Sequence, residues 1–403
     1  MTETTSVLEN VTIIARRSYG VEEEMLMPAG GYVAAAVVLF FIGFFGFFLN
    51  LSVIVLMLKD TQLWTPLNII LFNLICSDFS VSILGNPWTL ISAVSYKWIF
   101  GAVMCQIYAF FMSLLGITSI TTLTVLAFER YLIVSRPFRN HSLSRKDAVY
   151  LVIGIWIYSL LLTIPPLIGW GKFVPEAANI RHVNIFIFFA LSNPELLIYC
   201  FSCSVNWEEH SYNAMTYIMY IFAFGLVLPL GVISFSYFHI IHQMKKNNMT
   251  VGQTSKAERR VTLMVLLMIV SYLFAWSPYA VCALIEQFGE PSTISPAVGV
   301  LPALLAKSSI CYNPIIYVGL NSQFRQVLKQ YWQFKDRTQE SNCETYAMGV
   351  SNYVSTTYVD TAKFGKLTPT KAAKAQMFVF RKDKCKVALA ENKGRNMSCN
   401  SQV

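Results

Sequence analysis

Leu301-Pro302-Ala303-Leu304-Leu305-Ala306-Lys307-Ser308-Ser309-Ile310 sets one lysine in an apolar segment that continues into Asn313-Pro314-Ile315-Ile316-Tyr317. A charged amine at mid-membrane depth costs roughly 2.5–3.5 kcal/mol even on a lenient insertion scale, so such residues face a protein interior and do chemistry there. Desolvation favours a neutral amine, the form that condenses with an aldehyde. The alternative is a lysine that snorkels to an interface from a helix end. Lys307 lies far from both ends of its segment, which argues for the interior.

Working outward, the whole chain has the composition of a membrane protein. It is 55% hydrophobic and only 13% charged, with mean hydropathy +0.50, whereas soluble domains carry roughly 25% charged residues. Runs of about 20 apolar residues span a bilayer as helices. Seven such runs are expected, at 32–58, 67–95, 102–135, 148–169, 214–243, 258–287 and 296–319. The fold class expected is therefore an all-α seven-helix membrane bundle. Met1–Gly30 is polar, carries Glu22, Glu23 and Glu24, and does not read as a cleavable signal peptide.

Lys59, Arg136, Arg139, Arg145, Lys146, Lys245, Lys246, Lys256, Arg259 and Arg260 fall on one side of these spans. Glu176, Glu208, Glu209, Glu286 and Glu290 fall on the other. The positive-inside rule then places the N-terminus outside and the C-terminus inside, which makes Asn10-Val11-Thr12 a usable glycosylation site. The net charge of +9 reads as an inner surface facing anionic lipid, with nucleic acid excluded as a partner. After the seventh span, Phe324, Val327, Leu328, Tyr331 and Trp332 recur at helical spacing with Arg325 and Lys329 off the stripe. That pattern predicts an amphipathic helix over 321–334, followed by a polar, Ser/Thr-rich tail over 335–403 expected to be disordered. No internal repeat, phosphate loop or metal-ligand cluster stands out.

Several polar residues inside the spans need partners. Asp78 lies in the second span with Asn73, and Asn50 in the first. Glu129-Arg130-Tyr131 closes the third, Trp156 marks the fourth, Pro229 and Tyr237 the fifth, and Trp276-Ser277-Pro278-Tyr279 the sixth. Glu258 opens the sixth and can join Glu129 in pairing Arg130, so that one charge cluster holds the third and sixth spans together.

Taken together, Asn50, Asp78, Glu129-Arg130-Tyr131, Trp156, Pro229, Trp276-Ser277-Pro278 and Asn313–Tyr317 resemble the rhodopsin-like G-protein-coupled receptors, span by span. Lys307, seven residues before Pro314, is where the opsins carry their retinal-binding lysine. The resemblance covers roughly residues 30–335. Asn321-Ser322-Gln323-Phe324-Arg325 and Ser202–Trp207 look most like ciliary-type non-visual opsins of the pteropsin, encephalopsin and teleost-multiple-tissue group.

The resemblance implies 11-cis retinal, bound covalently to Lys307 as a protonated Schiff base. It implies a pocket of Tyr108, Ser113, Gly116, Ile117, Trp276, Tyr279, Ala280 and Ala303. It further implies a disulfide between Cys105 and Cys203, and an activation switch of Glu129, Arg130, Tyr131, Tyr237, Glu258, Asn313, Pro314 and Tyr317. A cation in a dry pocket needs an anion beside it. Visual pigments place a glutamate three residues after the Cys105 position, but Tyr108, a phenol, stands there. Glu176 matches the loop position used by invertebrate-type opsins, and Glu195 is its rival. The palmitoylated cysteines common after the amphipathic helix are missing.

The function implied is a light-activated receptor, not an enzyme. It would sit in the plasma or photoreceptor membrane and act on a heterotrimeric G protein, of inhibitory or transducin-like class. Arrestin and a receptor kinase would act on the tail. A retinal photoisomerase and a receptor for a diffusible ligand are the alternatives. Arg181–Phe201 departs from the family pattern: 21 residues separate Ile180 from Ser202. They are too apolar for a loop and too interrupted, at Ser192-Asn193-Pro194-Glu195, for a membrane helix. Because 21 codons preserve the reading frame, a retained intron absent from the working protein is the expectation.

Overall fold

A computed structural model describes residues 28–135, 143–176, 202–247, 256–289 and 296–330. Asn10, Glu195, the 181–201 segment and the tail beyond 330 lie outside them. Seven helices among the described residues are long and apolar enough to cross a membrane, as the hydropathy pattern predicts. They are α1 (Ala29–Lys59), α2 (Pro66–Val94), α3 (Gly101–Ser135), α4 (Arg145–Thr163), α5 (Tyr212–Asn247), α6 (Lys256–Phe288) and α7 (Pro296–Leu320). A short helix, α8, follows over 322–330; Tyr331 and Trp332 of the expected stripe lie outside the described residues.

Local sequence sets several of these ends. Thr65 caps α2 by accepting a hydrogen bond from the Asn68 amide, with Pro66 in the first turn. Ser144 and Asp147 form a reciprocal capping box at the start of α4. Ser211 caps α5 through the Ala214 amide. Inside the bilayer, interruptions follow prolines. α2 breaks at Gly85, just before Pro87 removes a backbone donor. α5 opens into a wide π turn over Ala223–Val227, immediately before Pro229. α7 tightens to a 3-10 turn at Ser309–Cys311, before Pro314. The fourth span ends six residues earlier than expected: Pro165 and Pro166 turn the chain into a 3-10 segment, Pro165–Ile168.

The helices are pinned by polar side chains that have no water to compete with. Asn313 Nδ2 donates to Asp78 Oδ2 at 2.8 Å, joining α7 to α2. Asn50 Nδ2 donates to the Ile310 carbonyl at 3.0 Å, joining α1 to the 3-10 turn of α7. Asn73 donates to Thr122 at 3.0 Å and accepts from Trp156 Nε1 at 2.8 Å, so one amide bridges α2, α3 and α4. Interhelical bonds of this kind contribute roughly 0.6–2 kcal/mol each.

Between α4 and α5 the chain makes an antiparallel hairpin, β1 (Phe173–Pro175) with β2 (Cys203–Val205), in which Pro175 pairs with Cys203. The Glu176 amide donates to the Ser202 carbonyl at 2.8 Å and extends the ladder. Cys203 is disulfide-bonded to Cys105 of α3, a link expected to contribute roughly 2–4 kcal/mol. Gly171, at φ +80°, leaves the ring of Tyr217 where a Cβ would stand, 2.5 Å from its nearest atom. Trp170 and Asn213 tie the same turn to α5 through Thr216 and the Gly169 and Gly171 backbone.

Glu176 and Ser202 are paired across the ladder, and removing Arg181–Phe201 leaves four residues between them, a common hairpin length. A variant lacking Arg181–Phe201 is expected to form the Cys105–Cys203 disulfide and reach the membrane at least as well as the full chain. Non-reducing peptide mapping and surface yield check this. Loss of either would show that the segment contributes to folding, and sequencing transcripts across Ile180–Ser202 tests the intron expectation directly.

Candidate functional site

The helices and the hairpin enclose a cavity of about 390 Å³, within the size range of small-molecule sites. Its walls are mostly apolar. Lys307 enters it from α7, Glu176 and Trp207 from the hairpin side, and Gly116 and Trp276 from α3 and α6. Of the pocket residues expected from sequence, Ser113, Ile117, Tyr279, Ala280 and Ala303 line the same cavity. Tyr108 stands beside it: its ring centroid is 5.9 Å from Lys307 Nζ, and its hydroxyl is 2.9 Å from Thr89 Oγ1. An ammonium over an aromatic face is stabilised by roughly 0.5–2 kcal/mol, far less than an adjacent anion provides.

Two carboxylates line the cavity, Asp78 at its deep end and Glu176 on the hairpin side. Glu176 sits one residue past β1, so the ladder that ends at Pro175–Cys203 fixes its backbone, and Ser202 Oγ donates to its carboxylate. The Cys105–Cys203 bond holds that hairpin against α3. Sequence-distant Glu176 and Lys307 therefore line one cavity.

At the cavity floor the rings are locked together. Trp276 stacks on Tyr272 with centroids 5.5 Å apart, and its indole nitrogen donates to Ser309 Oγ at 3.2 Å. Tyr272 donates to the Gly116 carbonyl at 2.9 Å. A Cβ on Gly116 would stand 2.9 Å from Cη2 of Trp276, so glycine is what admits the indole here.

The expected switch residues gather near the other end of the bundle. Arg130 is buried and makes two 2.6 Å hydrogen bonds to the Glu129 carboxylate, from Nε and Nη2. Tyr237 of α5 donates to the Thr262 carbonyl of α6 at 3.3 Å. Glu258 lies in the first turn of α6, half-buried. Tyr131 packs on Phe235 and His239 of α5. Asn313 and Tyr317 are buried in α7 with Pro314 between them, and Asp78 meets both the Asn313 bond and the deep end of the cavity. No group of three or more His, Cys, Asp or Glu among the described residues could hold a metal.

Sequence reasoning passed over Trp207, Tyr272, Thr89 and Ser202. Tyr272 was one helical turn before Trp276, and Trp207 has the same strand parity as Cys203 and Val205. Thr89 and Ser202 carried no signal that distinguishes them from ordinary buried hydroxyls.

A seven-helix membrane bundle with a lysine lining a mostly apolar cavity and a buried Glu-Arg pair at the far end defines a receptor of the seven-transmembrane class. The family model "7 transmembrane receptor (rhodopsin family)" matches residues 49–317. The chain belongs to that family. It is 33% identical to the pinopsin of Columba livia over 75% of this chain and 81% of that one. It is 30% identical to the parapinopsin of Ictalurus punctatus over 83% of this chain and 94% of that one. The crystal structure of squid rhodopsin superposes with a TM-score of 0.67 at 27% identity, covering 77% of this chain and 87% of the squid protein.

Proposed function

We propose that the protein is a light-activated receptor that carries retinal on Lys307 and activates a heterotrimeric G protein, with its N-terminus and hairpin on the outer side. The observation that carries this reading is Lys307 lining a mostly apolar cavity that the Glu176 carboxylate also lines. A diffusible water-soluble ligand would leave that amine without a function. When bound, retinal supplies an aldehyde for the amine and a polyene that light isomerises.

The chain's own residues do the rest. Lys307 Nζ provides the attachment point, and Glu176 holds a proton there by its charge. The hairpin lines one end of the cavity, and the mostly apolar walls strengthen that attraction. Trp276 and Tyr279 confine the cavity from α6, so a change of ligand shape presses on the helix whose far end carries Glu258. Arg130 is held by Glu129 within α3, while the Tyr237–Thr262 bond ties α5 to the inner end of α6 and is the contact whose loss would let α6 swing.

Membranes reconstituted with 11-cis retinal should show a visible band that light alters; an absorbance spectrum with none would end the reading. The shape of the floor gives a second check. Gly116→Leu drives a side chain into Trp276 and is expected to lower pigment yield at least about tenfold, by the cost of overpacking a filled core. Gly154→Leu, where a side chain meets open space, is the control and should keep the yield. Equal yields would show that the indole is not confined as described.

A further inference from the structure

Phe224 sits inside the wide π turn of α5, where its carbonyl has lost its backbone donor. The turn shifts the hydrogen-bond register by one residue, so that the Leu228 amide donates to the Ala223 carbonyl five residues back. The next donor in that register would serve Phe224. It belongs to Pro229, which has no N–H. A bilayer offers no water to such a carbonyl, so a neighbouring helix must satisfy it. Tyr158 of α4 does so: its hydroxyl donates to the Phe224 carbonyl at 2.6 Å.

The same seam uses this device in the other direction. The Leu161 and Leu162 carbonyls of α4 would each accept from the residue four positions on, and those residues are Pro165 and Pro166. Tyr220 and Tyr217 of α5 donate to them instead, at 3.3 Å and 3.2 Å. Each proline gap in the seam is thus met by a tyrosine hydroxyl from the opposite helix. The Tyr158 bond differs from the other two in being made to a turn that carries cavity residues.

Gly225 and Leu226, within the turn, line the cavity together with Ile117 of α3, and Phe222 lines it from the residue before the turn. Gly225 stands so close to α3 that a Cβ on it would lie 2.9 Å from Cδ1 of Ile117. Closing the wide turn to a regular one would move the register by one residue. One half of α5 would then rotate against the other by about 100°, carrying Gly225 and Leu226 round from Ile117.

We propose that Tyr158, which lies outside the cavity, is a positioning residue for it. Its hydroxyl lends Phe224 the donor that Pro229 lacks, holds α5 in the wide turn and so places the α5 wall of the cavity.

This inference rests on the retinal reading, and its test separates the two. Tyr158→Phe keeps the ring and removes only the donor. Its pigment is expected to show a displaced absorption maximum. It should also lose the visible band on warming in the dark roughly threefold to thirtyfold faster than wild type, the factor for one interhelical hydrogen bond. Pro229→Ala gives residue 229 an N–H that can reach the Phe224 carbonyl. In that background Tyr158→Phe should change the rate by less than about twofold. A hydroxyl that acted only by packing would show the same factor in both backgrounds.

A wild-type rate or an unmoved maximum in Tyr158→Phe, or an equal acceleration in the two backgrounds, overturns the proposal. If Pro229→Ala forms no pigment, Tyr158→Phe decides alone: acceleration with a displaced maximum supports the proposal. Acceleration with the maximum unmoved shows a weakened seam that does not place the cavity wall, and overturns it. Absence of any pigment in the unmutated protein overturns the retinal reading instead. Thermal unfolding of the same variants without retinal then still tests the Tyr158–Phe224 bond, and equal midpoints in wild type and Tyr158→Phe overturn it.

Discussion

Lys307→Ala is expected to abolish covalent pigment formation completely while the protein still folds and reaches the membrane. Lys307 enters the cavity from α7 and lies about one turn before Cys311, away from the Asn313–Asp78 bond that ties α7 to α2. Truncating it removes the amine without removing a helix-to-helix hydrogen bond. The alanine variant loses the cost of a buried amine but leaves Glu176 without that countercharge, so the two effects offset and folding should survive. The check is an acid-denatured sample probed for a retinal adduct, alongside surface yield. An adduct and a normal visible band in the variant would place the attachment on another residue.

Glu176→Gln should have the next largest effect. The carboxylate is held by Ser202 and by the hairpin ladder, lines the cavity with Lys307, and faces a site where Tyr108 offers a ring rather than an anion. Glutamine keeps the shape and removes the charge. A cation in a dry site without its anion sheds its proton, so the visible band near neutral pH should fall at least about tenfold. A near-ultraviolet band should replace it, and acidification should bring the visible form back. Tyr108→Phe, by contrast, should keep the visible band, since the ring face remains. A titration of Glu176→Gln indistinguishable from wild type would assign the proton-holding charge elsewhere.

How much of this was legible in the chain differs by element. The seven spans were visible because apolar length alone marks a membrane helix, and their ends fell within a few residues of the capping Thr65, Ser144 and Ser211. Lys307 and Asp78 stood out because charge inside an apolar run is costly. Polar pairing was only partly readable. Asp78 called for an asparagine, and those nearest in the sequence reading were Asn50 and Asn73, whereas the partner is Asn313, 235 positions away. Asn50 instead binds the Ile310 carbonyl, and Asn73 serves Trp156 and Thr122.

The hairpin was hidden for a different reason. Three-residue strands are too short to show alternation, and their pairing depends on a disulfide partner 98 positions away. Trp207 inherits that difficulty, because its contacts follow from the hairpin's placement and not from any local pattern. The break in α2 falls at Gly85, within one turn of Pro87 on the side where the missing donor leaves the helix unsupported.

The most direct test of the account is light-dependent nucleotide exchange on a heterotrimeric G protein of inhibitory class, in membranes reconstituted with 11-cis retinal. The account predicts slow exchange in the dark, rapid exchange after illumination, and no light effect in Lys307→Ala. Exchange that is the same in light and dark, while the bound retinal still changes isomer, would contradict it and assign the protein to photoisomerisation.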